Sequence, residues 1–275
     1  MFIGFGDLAE RALPHLLEIA NVIGVSRRPE RLPGALSHRA YGDYGSLEGL
    51  EKAAEIKPDY LIFTPVPASR DIAGYQQGYA KAAEHIAGAG LLKTARRAIF
   101  VSSTRVYAER AGGWVDEDSP LAAGDPFVDA LLTGEACFRR HATTTVVRPS
   151  GLYDGANPIM LRPILEGFSS RIGSGFTNRI HRDDAASVIA KLIKRDLEGK
   201  RLPATLNLND NTPVKTEELE AWCFQQLGRE PRGERDNQPR ANRQVSNAKL
   251  QSMGFSLQYP SFREGYGDAL SQATK

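Results

Sequence analysis

The sequence predicts an α/β protein with a doubly wound parallel sheet and a small C-terminal lobe. Three observations predict it: short strands that are apolar throughout, helical patterns that alternate with them, and a glycine turn joining the first strand to the first helix. A strand apolar at every position is covered on both faces, and strands separated by helices belong to parallel sheets.

Phe2-Ile3 is the first strand and runs into Gly4-Phe5-Gly6, after which Leu8, Ala12, Leu13, Leu16, Leu17 and Ile19 recur near the helical period. Val22 to Val25 is the second strand. Leu47 to Ile56 reads as helix, Tyr60 to Phe63 as strand, Tyr75 to Ala89 as helix, Ala98 to Val101 as strand, and Thr145 to Arg148 as a further strand. After Pro149 glycine and proline become frequent. Helices are expected from Arg182 to Arg195 and from Thr216 to Leu227, the latter with Leu219, Trp222, Cys223 and Leu227 on one face. Residues 1–155 with about 177–209 are expected to form the larger domain, and about 156–176 with 210–275 the lobe. The polar run Gly228 to Arg243 reads as a solvated connection. Ligands of open α/β sheets sit outside the carboxyl ends of the strands, so a lobe added there suits a cofactor plus a substrate.

The 275 residues carry 35 Lys+Arg against 33 Asp+Glu, a formal charge of +2, with 41% hydrophobic and 25% charged residues. No basic excess points to nucleic acid, and no polar bias points to disorder. Two separated cysteines, Cys137 and Cys223, build neither a disulfide framework nor a zinc ribbon and fit a reducing compartment, so the cytoplasm is expected. No apolar run approaches the roughly 18 residues of a spanning helix, and MFIGFGDLAE is no signal peptide, so no membrane partner is expected. His15, His38, His85 and His141 show no metal-ligand spacing, and no metal is expected.

Gly4-Phe5-Gly6-Asp7-Leu8-Ala9 is a GxGxxA motif placed after a strand and opening a helix, the context in which it binds a dinucleotide in a Rossmann fold. Gly4 permits the tight turn, Gly6 lets backbone approach the pyrophosphate, and Ala9 lets helix approach sheet. The anion would rest on the helix N-terminus. The brevity of the first strand points to a start upstream of Met1. Where an NAD site places a carboxylate, about 20 residues on, the chain has Ser26-Arg27-Arg28. An arginine there bonds a 2′-phosphate, so NADP is favoured over NAD; the plainer reading is a solvated loop, since Pro29 follows. Asp43 is either a contact to the adenine amino group or a turn residue.

From Ile99 the chain reads IFVSSTRVYAERAGGWVDEDSP, and with TVVRPSGLYDGANP and NRIHRDD it resembles an extended short-chain dehydrogenase/reductase of the NAD-dependent epimerase/dehydratase type. GGWVDEDSP, NRIHRDD, RQVSNAKL and YPSFREGY are similar to segments of the YeeZ-like oxidoreductase subgroup. The resemblance implies that Ser103 or Thr104 hydrogen-bonds the reacting carbonyl or alcohol, and that Ser102 contacts the cofactor. It places Thr64-Pro65 near the cofactor's pyrophosphate and ribose, and Arg148-Pro149-Ser150 near its carboxamide. The family's catalytic Tyr and Lys, counted back from Glu135, fall on Phe127 and Leu131, which perform neither role. Tyr107, Tyr153 and His181 are the available substitutes, each with a plainer reading as a packing or helix-ordering residue; His181 would order the helix that Asp183 or Asp184 caps. Arg179 faces an anionic substrate or is a salt-bridge partner, and Trp114 is a lid or surface packing. On the helix from Phe127 to Phe138, Val128, Leu131 and Leu132 serve either a core or a homodimer, so monomer and homodimer both stand.

Three functions are compatible with these residues. The first is an NADP-binding oxidoreductase-like protein acting on a small or sugar-like carbonyl or alcohol with an atypical proton donor. The second is a catalytically inactive nucleotide sensor or scaffold, and the third a sugar-nucleotide epimerase or dehydratase.

Overall fold

The computed structural model describes residues 1–155, 161–170, 175–235 and 242–273. Seven strands form one sheet: β1 Phe2–Ile3, β2 Ile23–Ser26, β3 His38–Tyr41, β4 Tyr60–Phe63, β5 Arg97–Val101, β6 Thr144–Pro149 and β7 Thr205–Leu208. Their spatial order is β7-β6-β5-β4-β1-β2-β3, and each neighbouring pair from β3 to β6 is parallel. The order reverses direction between β1 and β4, so the sheet is doubly wound, with its switch point beside the glycine turn. The expected fold class is the observed one.

Helix α1, Asp7–Leu17, returns the chain from β1 to β2 and buries Ala9, Ala12, Leu13 and Leu16, the spacing that the apolar period demands. Between β4 and β5 the segments Ile72–Tyr75, Gln76–Lys81 and Ala82–Gly88 run on as one helix, α2. It starts earlier than its aromatic pattern indicates, because the Asp71 carboxylate accepts the Gly74 N–H at 2.8 Å and caps it. Its middle, Gln76–Lys81, is a π-helical stretch that the apolar period does not reveal. The expected helix from Leu47 to Ile56 is reduced to a 3-10 turn, Glu48–Leu50, and one helical turn, Glu51–Ala54.

Helix α3, Pro126–His141, is capped by Asp125, whose side chain accepts from Phe127 and Val128. Val128 and Leu131 are fully buried in the chain's own core, whereas Leu132 is only half-buried. Phe63, Phe100 and Phe138 meet there, with Phe100 and Phe138 edge to face at 4.9 Å and Phe63 stacked on Phe138 at 5.7 Å. Helix α4, Arg182–Leu197, and helix α5, Thr216–Gln226, lie where the pattern places them. Helix α6 is Phe262–Ala273.

The chain folds as two compact units. Met1–Val106, Ala122–Arg148 and Ala186–Leu206 make the first; Tyr107–Leu121, Pro149–Ala185 and Asn207–Lys275 make the second. The second includes Tyr107–Leu121, which the sequence reading leaves in the larger domain, because Trp114–Val115 pairs in parallel with Gln244–Val245. Its core is built from Leu161, Leu219, Cys223, Phe224, Phe262 and Tyr266. The run Gly228 to Arg243 is more than a solvated connection: Gly233–Arg235 pairs with Phe168–Ser170, and Arg243 is buried, its guanidinium donating to the Tyr107 carbonyl at 2.5 Å. Among the described residues no helix is long and apolar enough to cross a membrane.

Candidate functional site

The first unit holds a cleft of about 400 Å³ at the sheet's switch point. Gly4, Gly6, Ser26, Arg27, Asp43 and Thr64 line it together, although up to 60 residues of sequence separate them. Phe5 of the glycine turn and Val25 of the second strand line it as well, as do Tyr44, Val66 and Gln77, which no sequence signal marked. A larger hollow of about 520 Å³ lies along β3, between His38–Tyr41 and Lys52–Ile56, and none of the glycine-turn residues reaches it.

Backbone geometry shapes the cleft floor. Gly4 holds φ at +81°, and a Cβ there would lie 2.7 Å from the Thr64 carbonyl oxygen. The Thr64 hydroxyl donates to the Gly4 carbonyl, and the Thr64 N–H donates to the Ile3 carbonyl at 3.1 Å, so β4 clamps the turn. Gly6 stands at the cap position of α1 in an extended conformation, and glycine offers no side chain to fill the helix end. A Cβ at Gly6 would meet nothing within 4 Å, so the space in front of the helix is open. An open helix N-terminus next to an arginine suits a negatively charged group. Ala9 is fully buried and lets α1 approach the sheet.

Of the two arginines, Arg27 lines the cleft and Arg28 does not; the Arg28 N–H donates to Ser26 Oγ at 3.1 Å and turns the chain into Pro29–Arg31. Asp43 is both a turn residue and a cleft residue: Oδ1 accepts the Gly45 N–H at 2.8 Å. Pro65 is half-buried and does not line the cleft.

The serine cluster divides by role. Ser102 is buried, its hydroxyl donating to Glu135 Oε1 at 2.6 Å and its N–H to the Val147 carbonyl at 2.8 Å. Arg148 is likewise occupied: Nη2 reaches Glu135 Oε2 at 2.7 Å and Nε reaches Oε1 at 3.1 Å. Ser103 and Thr104 are half-buried at the end of β5, and Ser103 Oγ accepts the Arg105 N–H at 3.1 Å. Phe127 and Leu131, on α3, offer neither hydroxyl nor amine.

The substitute proton donors lie in the second unit. Tyr107 is 0% exposed and its hydroxyl donates to Asn207 Oδ1 at 2.6 Å. Tyr153 is packed in that unit's core with its hydroxyl on the Ser261 carbonyl at 3.3 Å, and burial pushes its pKa up. His181 is buried, stacked on Tyr259 at 3.7 Å, and its Nδ1 accepts the Asp183 N–H at 3.3 Å. His181 itself therefore serves the start of α4. Asp184 does not cap it, because its carboxylate accepts the Gln258 and Tyr259 N–H groups at 2.7 and 2.9 Å. Arg179 is 3% exposed, bonded through Nη2 to Thr177, with its guanidinium over Phe262. Pro149 and Ser150 are buried too, the Ser150 hydroxyl lying on Asn209 Oδ1 at 2.6 Å. Trp114 is exposed on its strand, and both cysteines are buried and free.

The parallel sheet, its switch point and the glycine turn define a Rossmann-like α/β fold. No family model matches the chain, and no curated protein matches it. Solved structures do. A protein from Methylobacillus flagellatus, provisionally described as an NAD-dependent epimerase/dehydratase, is 27% identical, with a TM-score of 0.81 over 98% of this chain and 96% of that one. A human epimerase family protein crystallised with NADPH is 18% identical, with a TM-score of 0.72 over 98% of each chain. MoeE5, in complex with UDP-glucuronic acid and NAD, is 17% identical, with a TM-score of 0.74 over 97% of this chain and 95% of that one. The two last likenesses concern the fold alone.

Proposed function

We propose that this chain is an NAD(P)-binding oxidoreductase-like protein of the extended short-chain dehydrogenase/reductase type, acting on a small or sugar-like carbonyl or alcohol and favouring NADP over NAD. The reading rests on one observation: the Gly4–Gly6 turn, Arg27 and Thr64 meet in a single cleft. The turn and the start of α1 would hold the pyrophosphate, and Arg27 the 2′-phosphate. The Asp43 oxygen not bound to Gly45 would take the adenine amino group. When bound, the nicotinamide supplies or accepts the hydride.

The chain's own contribution is orientation and polarisation. Because Ser103 Oγ accepts the Arg105 N–H, its own proton is left to donate to a substrate carbonyl oxygen. Thr104 sets a second hydroxyl beside it. A cytoplasmic location fits the two buried free thiols.

A second reading, a nucleotide sensor without turnover, is favoured by Phe127 and Leu131 and by the burial of Tyr107 and Tyr153. Incubation of the protein and NADPH with a panel of aldehydes, keto acids and keto sugars, followed at the nicotinamide absorbance, separates the two. Oxidoreductase function predicts turnover with at least one compound, reduced about 10²-fold in Ser103→Ala. NADPH binding with no turnover across the panel selects the sensor.

A further inference from the structure

Arg105 follows the two hydroxyl residues in the turn Thr104–Val106 at the end of β5. The carbon of its guanidinium lies 4.2 Å from the centroid of the Phe127 ring and 5.4 Å from that of Tyr75. Those rings meet edge to face at 5.1 Å, so two aromatic faces hold one cation. Rings fix the direction of a guanidinium but give its five N–H donors no oxygen to bond.

Among the described residues no carboxylate pairs with Arg105. Other arginines of the same unit differ: Arg97 meets Asp196 at 2.8 Å and Arg148 meets Glu135 at 2.7 Å. Arg105 is half-buried, and its N–H fixes the hydroxyl of Ser103, so cation and hydroxyl are set in one turn. Phe127, at the position where the family resemblance puts its tyrosine, serves here as the platform under that cation.

We propose that Arg105 binds an anionic group of the substrate, a carboxylate or a phosphate, so that the carbonyl or alcohol compound is an acid or a phosphate ester and not a neutral sugar or aldehyde. This rests on the oxidoreductase reading, which makes the anion the substrate's. A planar fork accepts two oxygens of either group, and charge-assisted bonds of this kind give about ten- to hundredfold in affinity.

The test titrates inorganic phosphate, glucuronate and neutral glucose into the protein alone and into protein saturated with NADPH, which occupies the glycine-turn site. At least one anion is expected to bind the saturated protein while glucose does not. Arg105→Ala and Arg105→Gln should weaken that anion at least tenfold with NADPH affinity kept within twofold, and Arg105→Lys should recover part of the loss. The relative strength of phosphate and glucuronate distinguishes the two groups. Equal anion affinity in Arg105→Gln and wild type overturns the proposal, as does glucose binding as tightly as glucuronate. NADPH binding without any anion response overturns the anion site alone. Failure of NADPH to bind, with anion affinity still dependent on Arg105, overturns the dinucleotide reading and leaves the anion site standing.

Discussion

Gly4 carries the most demanding backbone of the cleft, with φ at +81° and the Thr64 carbonyl where a side chain would go. Gly4→Ala places a Cβ in a left-handed conformation, which costs about 1–2 kcal/mol, and pushes β4 away from the turn. Dinucleotide affinity should fall more than tenfold, and unchanged affinity in calorimetry would remove the turn from the site. Arg27→Ala should weaken NADP by about ten- to hundredfold and leave NAD within twofold, since only the 2′-phosphate distinguishes them. Arg28→Ala should leave the NADP to NAD ratio unchanged, because Arg28 does not line the cleft. An unchanged ratio in Arg27→Ala would contradict the NADP preference. The GxGxxA spacing and the arginine after β2 were legible in the sequence because both are local. Arg105 over Phe127 was not, since the partners lie 22 positions apart on different elements and no spacing rule links them.

Helix α3 is tied to β5 and β6 by one buried carboxylate. Glu135 accepts from Ser102 on β5's exit and from Arg148 on β6, so two strands and a helix share a single charge. Removing one partner of a buried pair leaves the other uncompensated and costs roughly 3–5 kcal/mol. Glu135→Gln should therefore destabilise the fold by about that much in denaturant unfolding, whereas Glu135→Gln with Arg148→Met should recover much of it. A loss below about 1 kcal/mol in the single variant would show the pair to be dispensable. Strands β4 and β5 were legible because they are apolar on both faces. The π-helical middle of α2 and the pairing of Gly233–Arg235 were not: the first keeps an apolar period, and the second is a polar strand. The surroundings of the candidate proton donors were not legible for a related reason, since Tyr107 and Tyr153 carry no local mark of burial, and only the fold shows their hydroxyls on Asn207 and Ser261.

At the scale of the molecule, stability should depend on pH through Asp210 in the second unit. Desolvation pushes its carboxyl up to about 7 against the pull of Arg179, with Glu264 and Asp184 adding to the rise. The folded chain then keeps a proton that the unfolded chain releases near the ordinary aspartate pKa of about 4. Stability thus falls as pH rises through that window and levels off above 7. Asp210→Asn lacks this slope, so its advantage in unfolding free energy over wild type should grow between pH 5 and pH 8, by on the order of 2–4 kcal/mol. A difference independent of pH would assign Asp210 an ordinary pKa. The doubly wound class was legible from alternation alone, whereas the boundaries of the two units were not, because the pairing of Trp114–Val115 with Gln244–Val245 joins segments about 130 residues apart. Dinucleotide recognition at the switch point is the central claim, and calorimetric titration with NADPH, NADP, NADH and NAD in parallel tests it most directly. Tight binding of the phosphorylated pair, at least tenfold tighter than the other two, is the predicted result; no binding of any of the four would contradict it and make the glycine turn a structural feature only.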